Sequence, residues 1–573
     1  MAAELIGTTI GVVGFIGQLF DGCVKAYGFF TTAAHLDTDS QRLMCKVCIE
    51  EMRLVVWGRE WGVAEGRLEA HLDSGYNPQL RALATQILEE LHTTVTDFRK
   101  LQERYGLVEA GGGSASVVGM EAEALSTSTS SETSSNKGAR AEARRLNGSR
   151  TNSATERSWR KEIGLRTKWV VVDKEKFTNL LKDLKDFNDG LENLFPPSQL
   201  PSLQRAWTHQ LLETAQRDLA QLSLLETAST GIYPKLEASA KLKKLRINLD
   251  SAPQAAFQPT FALRVPRPAL TIRHSDQVQG STRRCHARHE AAGDVVVEWV
   301  DYDREAIVER VAHVRRMDDL ARVMHSASSR HPDLHSFDCV GYTDDAACSR
   351  YGLVYKAPAS SFSTLHALIV SPDLKTPDLD ARVRLAQTLA VALWSLHSLD
   401  WLHKSLCGAN ILFFPSAFST SAGETSATSP TAAALSPDIA NPFLSGFDAS
   451  RPDLDTALSV APRNPSIADL HRHPAALRGL PYCKPFDIYS LGLVLLEIGL
   501  WKVLQSYYKA HYSADRWRDR VVLAALVPGL GSKVGGRYRE VVEMCLRAGD
   551  EMSSAEAGKL METVVMTLES IRV

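Results

Sequence analysis

Apolar side chains recur at three- and four-residue steps over two long stretches of the first half of the chain. Leu80, Ile87, Leu91, Val95, Phe98, Leu101 and Tyr105 form one stripe, and Leu180, Leu184, Phe187, Leu191 and Leu194 a second. That period belongs to helices with one buried face, and both stripes predict the core of a helical bundle. Phe195-Pro196-Pro197 stops the second, because proline lacks an amide donor and disfavours a helical residue before it. Further along, Val295–Trp299 (VVVEW) and Tyr351–Lys356 (YGLVYK) read as strands. Helical periodicity then returns. Leu385, Leu389, Leu393, Leu396 and Leu399 share one face of a helix expected over 380–402, an apolar helix opens at Phe486 and ends near Trp501, and Tyr538, Val541, Val542, Cys545 and Leu546 mark a last amphipathic helix.

Two polar interruptions, 109–158 (with STSTSSETSS at 126–135) and 416–441, are too poor in apolar residues to pack and are expected to be disordered insertions. The chain therefore divides into an all-α bundle over 1–235, a short connector at 236–249 containing KLKKLR, and an α+β region over 250–573. No fixed-period repeat points to a solenoid. With 573 residues, 44% apolar and 23% charged, the composition is globular and leaves ample core. Sixty-five basic residues against 67 acidic ones give a net charge of −2, so no global field points to nucleic acid. The nine cysteines are scattered, and only Cys45 and Cys48 form a C-x-x-C, with no second pair to complete a metal site. A reduced intracellular compartment fits that usage. The amino terminus carries Glu4 and no basic residue before its apolar run, unlike a secretory signal.

That run, Leu5–Phe20, has no charge and carries Gly7, Gly11, Gly14 and Gly17 at steps of four and three. Glycine costs roughly 1 kcal/mol against alanine in a helix in water, so four of them need a reason. One is a bundle helix on which neighbours pack tightly. The other is a conditionally inserting helix whose small-residue face meets a partner in lipid, with Leu5, Ile6, Ile10, Val12, Val13, Phe15, Ile16, Leu19 and Phe20 as its apolar remainder. Sixteen residues span about 24 Å, short of a hydrocarbon core of about 30 Å. The blocks GVVGFIGQLFDGCVKAY (11–27), VVWGREWGV (55–63), ERYGLVEA (103–110) and TKWVVVDKEKFTNLLKDLKDFNDGLENLFP (167–196) resemble the fungal HeLo domain over about residues 4–225. That resemblance implies a helical bundle whose first helix enters membranes and causes cell death. A basic stretch, ten Lys/Arg against three Glu over 137–168, could favour anionic lipid, although a solvated, disordered loop is the simpler reading.

HKSLCGANILFF (403–414), LSGFDASRP (444–452) and FDIYSLGLVLLEIGLWK (486–502), following VVVEW, resemble a protein-kinase fold in chain order. The resemblance implies a bilobal domain over about 250–560, with Asp487 tying down the catalytic loop. Its functional positions are altered. Ser405 stands where the catalytic aspartate belongs, Gly446 where the metal-binding aspartate belongs, with Asp448 two residues on, and Glu298 (or Val300, if the register slips) where the phosphate-contacting lysine belongs. A serine hydroxyl is no base near neutral pH, and phosphoryl transfer depends on positioned charges. His403 and Asn410 remain, more simply as loop-bracing residues than as metal ligands. The region reads as a pseudokinase needing no cofactor or metal, in which ATP could still be held without turnover by hinge backbone at Lys356, Ala357 and Pro358. His471 and His473 lack a third ligand for a metal, and Pro474 falls where kinases close the activation segment. The whole reads as a cytoplasmic cell-death or heterokaryon-incompatibility protein that self-associates and reaches the plasma membrane when triggered by an unknown partner. The alternatives are an active Ser/Thr kinase and a signalling scaffold without a membrane step.

Overall fold

The computed structural model describes residues 14–30, 38–73, 78–110, 168–194, 199–251, 261–272, 283–302, 307–327, 330–415, 437–447, 451–452 and 470–573. The chain forms two compact units, residues 1–194 and 195–573. Most of both polar interruptions, Leu5–Val13 and Asp448 lie outside the described residues.

The first unit is built from helices Phe15–Phe30, Thr38–Glu60, Arg67–Asp73, Pro78–Thr96, Phe98–Glu103 and Lys174–Glu192, with an antiparallel pair Leu107–Ala110 and Lys168–Val171. The apolar stripes are largely buried as expected: Leu91, Val95, Leu101 and Tyr105 from one, and Leu180, Leu184 and Leu191 from the other. The first stripe is not one helix. Asp97 interrupts it, accepting from the N–H groups of Arg99 and Lys100 as the cap of a new short helix, which leaves Phe98 59% exposed. At the centre, Arg53 is buried and reaches Glu50 (3.0 Å), Asp189 (2.7 Å) and Glu192 (2.9 Å), while Trp57 Nε1 donates to the Leu191 carbonyl (2.8 Å). These contacts fasten the second helix to the last helix of the unit.

The described part of the first apolar segment differs from expectation. A helix over Leu5–Phe20 would continue through Gly14, but Gly14 has φ +95°, and the described helix runs on to Phe30 through Asp21 and Lys25. Its first turn is capped by Glu69, which accepts from the Ile16 N–H at 3.0 Å. A Cβ on Gly14 would collide with that carboxylate. Ile16, Gly17 and Phe20 are buried, Leu19 is half-buried and Phe15 is exposed. Among the described residues, no helix is long and apolar enough to cross a membrane.

In the second unit, five antiparallel strands lie in the order Leu270–Ile272, Arg284–His289, Gly293–Asp301, Arg350–Lys356, Cys339–Asp345, with helix Ile307–Ala327 packed on the last two. Both expected strands are central. The helical half contains Leu379–Ser398, Lys484–Leu500, Gly536–Leu546 and Ser554–Glu569. Lys484–Leu500 is enclosed nearly all round, which matches its continuous apolar run. The helix expected to reach residue 402 stops at Ser398, because Asp400 turns left-handed (φ +55°) and Trp401-Leu402 forms a short strand. The helix at Tyr538 is followed by one more.

Helices Leu200–Ala215, Leu219–Ser229 and Pro234–Ser251 belong to this second unit. The residues expected to connect two domains therefore sit within a helix, and buried Lys243 binds Asp400 at 3.0 Å. Arg246 Nε donates to the Leu399 carbonyl at 2.6 Å, and Arg205 binds Glu569 at 3.1 Å.

Replacing Arg53 with alanine leaves Glu50 and Glu192 buried without their cation. The expected loss is about 3–5 kcal/mol, read from urea unfolding of the full chain, and a loss under about 1 kcal/mol would show that the network contributes little.

Candidate functional site

Asp487, in the first turn of Lys484–Leu500, is wholly buried and takes four partners. It accepts from the backbone N–H groups of His403 (2.7 Å) and Lys404 (2.8 Å) and from the Tyr482 hydroxyl (3.0 Å), and His397 Nε2 lies 3.2 Å away. Burial pushes its carboxyl up, but the His397 hydrogen bond, the nearby His charges and the Lys404 N–H more than offset this and hold it below the usual carboxylate range. Lys404 adopts a left-handed conformation (φ +66°) within this grip. The loop 403–410 is thereby fixed beneath the sheet.

Five residues on this frame close a ring of hydrogen bonds. Arg284 and Glu298 are directly opposite on neighbouring antiparallel strands, and Arg284 Nη2 pairs with Glu298 Oε1 at 2.5 Å. The same nitrogen donates to Asn410 Oδ1 (2.5 Å), and Nη1 donates to the Ala409 carbonyl (2.9 Å). Asn410 Nδ2 donates to the Ser405 carbonyl at 2.5 Å, and Ser405 Oγ donates to the Gly446 carbonyl at 2.7 Å. Gly446 N–H returns to Glu298 Oε2 at 3.1 Å. Gly446 has φ +85°, and a Cβ there would stand 2.5 Å from Asn410 Nδ2, so the ring closes only around glycine.

The structure thus brings together Glu298, Ser405, Asn410 and Gly446, with His403 and Asp487 directly behind them. The register sets Glu298, not Val300, opposite Arg284 in this ring. His403 Nδ1 accepts from the Ser405 N–H (3.4 Å), and its ring packs on Phe447 with centroids 5.0 Å apart. At the expected hinge, the Lys356 N–H donates to the Asp338 carbonyl (2.8 Å), the Ala357 N–H donates to the Asp294 carbonyl (2.9 Å), and Pro358 has none to give. His471 pairs with Glu497 at 3.1 Å, and His473 caps the helix Pro474–Leu477 and stacks on Phe486. Both histidines serve structure. Among the described residues no group of three or more His, Cys, Asp or Glu is placed to hold a metal. Chemically, the ring has its only carboxylate neutralised and its only hydroxyl donating to a carbonyl, so it presents no poised base.

Arg284 escaped the sequence reading. The signal was a hairpin: RCHARH and GDVVVEWVD are joined by a short turn, and that register sets Arg284 across from Glu298.

Comparison with known proteins adds identity to this geometry. Residues 7–225 match the family model for HeLo, prion-inhibition and propagation. The amino-terminal region carries a HeLo domain. It is 23% identical over 243 residues, 42% of this chain and 74% of the relative, to heterokaryon incompatibility protein S of Podospora anserina. Residues 299–565 match a domain of unknown function, DUF7580. The HeLo match runs past Leu194, so its last helices, Leu200–Ala215 and the first part of Leu219–Ser229, are compact with the second unit.

Because the Asp487 carboxyl is depressed in the folded chain, its contribution to stability is complete above the unfolded carboxylate range and is lost as pH falls through its folded value. Asp487→Asn should lower stability by about 3 kcal/mol at pH 7 and flatten the acid limb of the stability profile, measured by urea unfolding from pH 7 to pH 3. An unchanged acid limb would assign the acid sensitivity elsewhere.

Proposed function

We propose that this protein is a cell-death signalling protein of the heterokaryon-incompatibility type, in which a catalytically silent kinase-like unit controls a membrane-active HeLo domain. The HeLo match and the relative's name support the signalling class. The strand order, with the first-to-fifth strands lying 1-2-3-5-4 and a helix between the third and fourth, supports a kinase-like reading of the carboxy-terminal unit.

The closed ring carries the inference of silence. Where a nucleotide's phosphates and magnesium would need a lysine and free carboxylates, Glu298 is neutralised by Arg284, Asn410 is committed to Arg284 and Ser405, and the Gly446 N–H is spent on Glu298. These residues do not fit magnesium nucleotide, and the hinge N–H groups of Lys356 and Ala357 are occupied as well. Losing a positioned general base alone costs roughly 10²–10⁴-fold. The retained Asn410 and Asp487, which favour an active kinase, both serve the loop instead.

The executing part of the reading rests on the glycine-bearing segment Leu5–Phe20. On triggering, this segment would leave water and self-associate through its small-residue face at an anionic plasma membrane. The chain would be cytoplasmic at rest.

Purified full chain with magnesium and radiolabelled ATP should transfer no phosphate, and Ser405→Ala should match wild type. Transfer that Ser405→Ala abolishes would overturn the silent-kinase reading. Gly11→Leu should abolish dye leakage from anionic liposomes while leaving the circular dichroism of the chain unchanged, and leakage at the wild-type rate would refute insertion through this face.

A further inference from the structure

A cavity of about 40 Å³ opens between helices Leu200–Ala215 and Pro234–Ser251, the turn 330–334 and the end of Leu379–Ser398, all within the second unit. Its lining is unlike the saturated ring. His209 Nδ1 and Ser395 Oγ are buried without a hydrogen-bond partner, on residues only 6% and 7% exposed, and His331 Nε2 is buried unpartnered too. A buried polar group left without a partner loses its hydration with nothing in return, so three around one cavity call for an occupant. Burial, followed by the charges of Arg205, Lys243 and His331, pushes His209 down to about 3, leaving a neutral ring with one N–H to give.

At the rim the balance is positive. Lys235 and Arg330 line the opening, are exposed and carry no ion pair among the described residues. Asp333 is the acidic residue in the lining, and it already faces Arg205 at 3.5 Å. Two uncommitted cations over a floor of neutral donors match a compact dianion. The volume exceeds the roughly 10–15 Å³ that one water needs by the same measure, and it is too small for a nucleotide.

We propose that this cavity binds the phosphoryl group of a small soluble phosphate, with Lys235 and Arg330 neutralising its charge and His209 and Ser395 donating to its oxygens. Because the lining comes from helices Leu200–Ala215 and Pro234–Ser251 on one side and from residues 330–334 and 395–399 on the other, an occupant would strengthen the packing between them. The inference is independent of the silent-kinase and membrane readings, since it concerns neither the ring nor the segment Leu5–Phe20.

The test uses the full chain with inorganic phosphate, glycerol 3-phosphate and uncharged glycerol at matched ionic strength, reading the thermal unfolding midpoint and phosphorus NMR line broadening. Phosphate or its monoester should raise the midpoint and broaden, glycerol should do neither, and Lys235→Glu with Arg330→Glu should weaken binding at least tenfold. Those two side chains are exposed, so the double variant should fold, and Ser395→Ala provides a second, uncharged probe that should weaken binding several-fold. Preference between free phosphate and the monoester identifies the source of the group. Absence of any phosphate effect, an equal effect from glycerol, or unaltered binding in the variants would overturn the proposal.

Discussion

The interior of the carboxy-terminal unit turns on one buried carboxylate. Asp487 has no exposure and would be costly in the core as a lone charge, yet two backbone N–H groups, a tyrosine hydroxyl and a histidine surround it. Satisfying it requires loop 403–410 to pass at one height and one angle, with Lys404 in a left-handed turn. Once that loop is set, Ser405 and Asn410 reach Gly446 and Arg284, and the ring follows. The anchoring carboxylate is thus compatible with chemistry or with silence. Which of the two occurs depends on the residues it presents.

Here those residues neutralise one another. Glu298 would be an unpaired buried anion but for Arg284, whose guanidinium bridges the sheet and the loop in a single forked contact. Removing either charge leaves the other stranded, so the pair persists on structural grounds with no catalytic requirement. Gly446 is demanded by its positive φ and by the closeness of Asn410. Glu298, Ser405 and Gly446 therefore fit together as one packing solution.

Much of this was legible in the chain because it rests on local period and on short motifs. The stripes at Leu91–Tyr105 and Leu180–Leu191, the strand VVVEW and the helix at Phe486 all declare themselves through spacing, whereas Asp487 is picked out by the resemblance of its helix to one in protein kinases. What escaped depends on cross-strand register or on contacts between distant segments. Arg284 became visible only once its hairpin was paired, and Asp97 broke a stripe by capping a helix where the apolar period ran straight through. Glu69 caps the Phe15–Phe30 helix from more than fifty residues away, a contact that no periodicity encodes. The extent of the HeLo motifs was legible, but the way their last helices pack was not.

Buried ion pairs hold helices Leu200–Ala215 and Pro234–Ser251 to the rest of the second unit. Lys243, Arg246 and Lys484 are each at most 2% exposed and converge on the single carboxylate of Asp400, while Arg205 spans Asp333 and Glu569. Peeling the helices Leu200–Ser251 away would uncover this cluster and leave Asp400 with one of its three cations, at a cost of several kcal/mol. In the first unit, Arg53 joins Glu50, Asp189 and Glu192, all before Leu194. Each unit is therefore held by a buried ionic cluster of its own, around Arg53 in residues 1–194 and around Asp400 in residues 195–573.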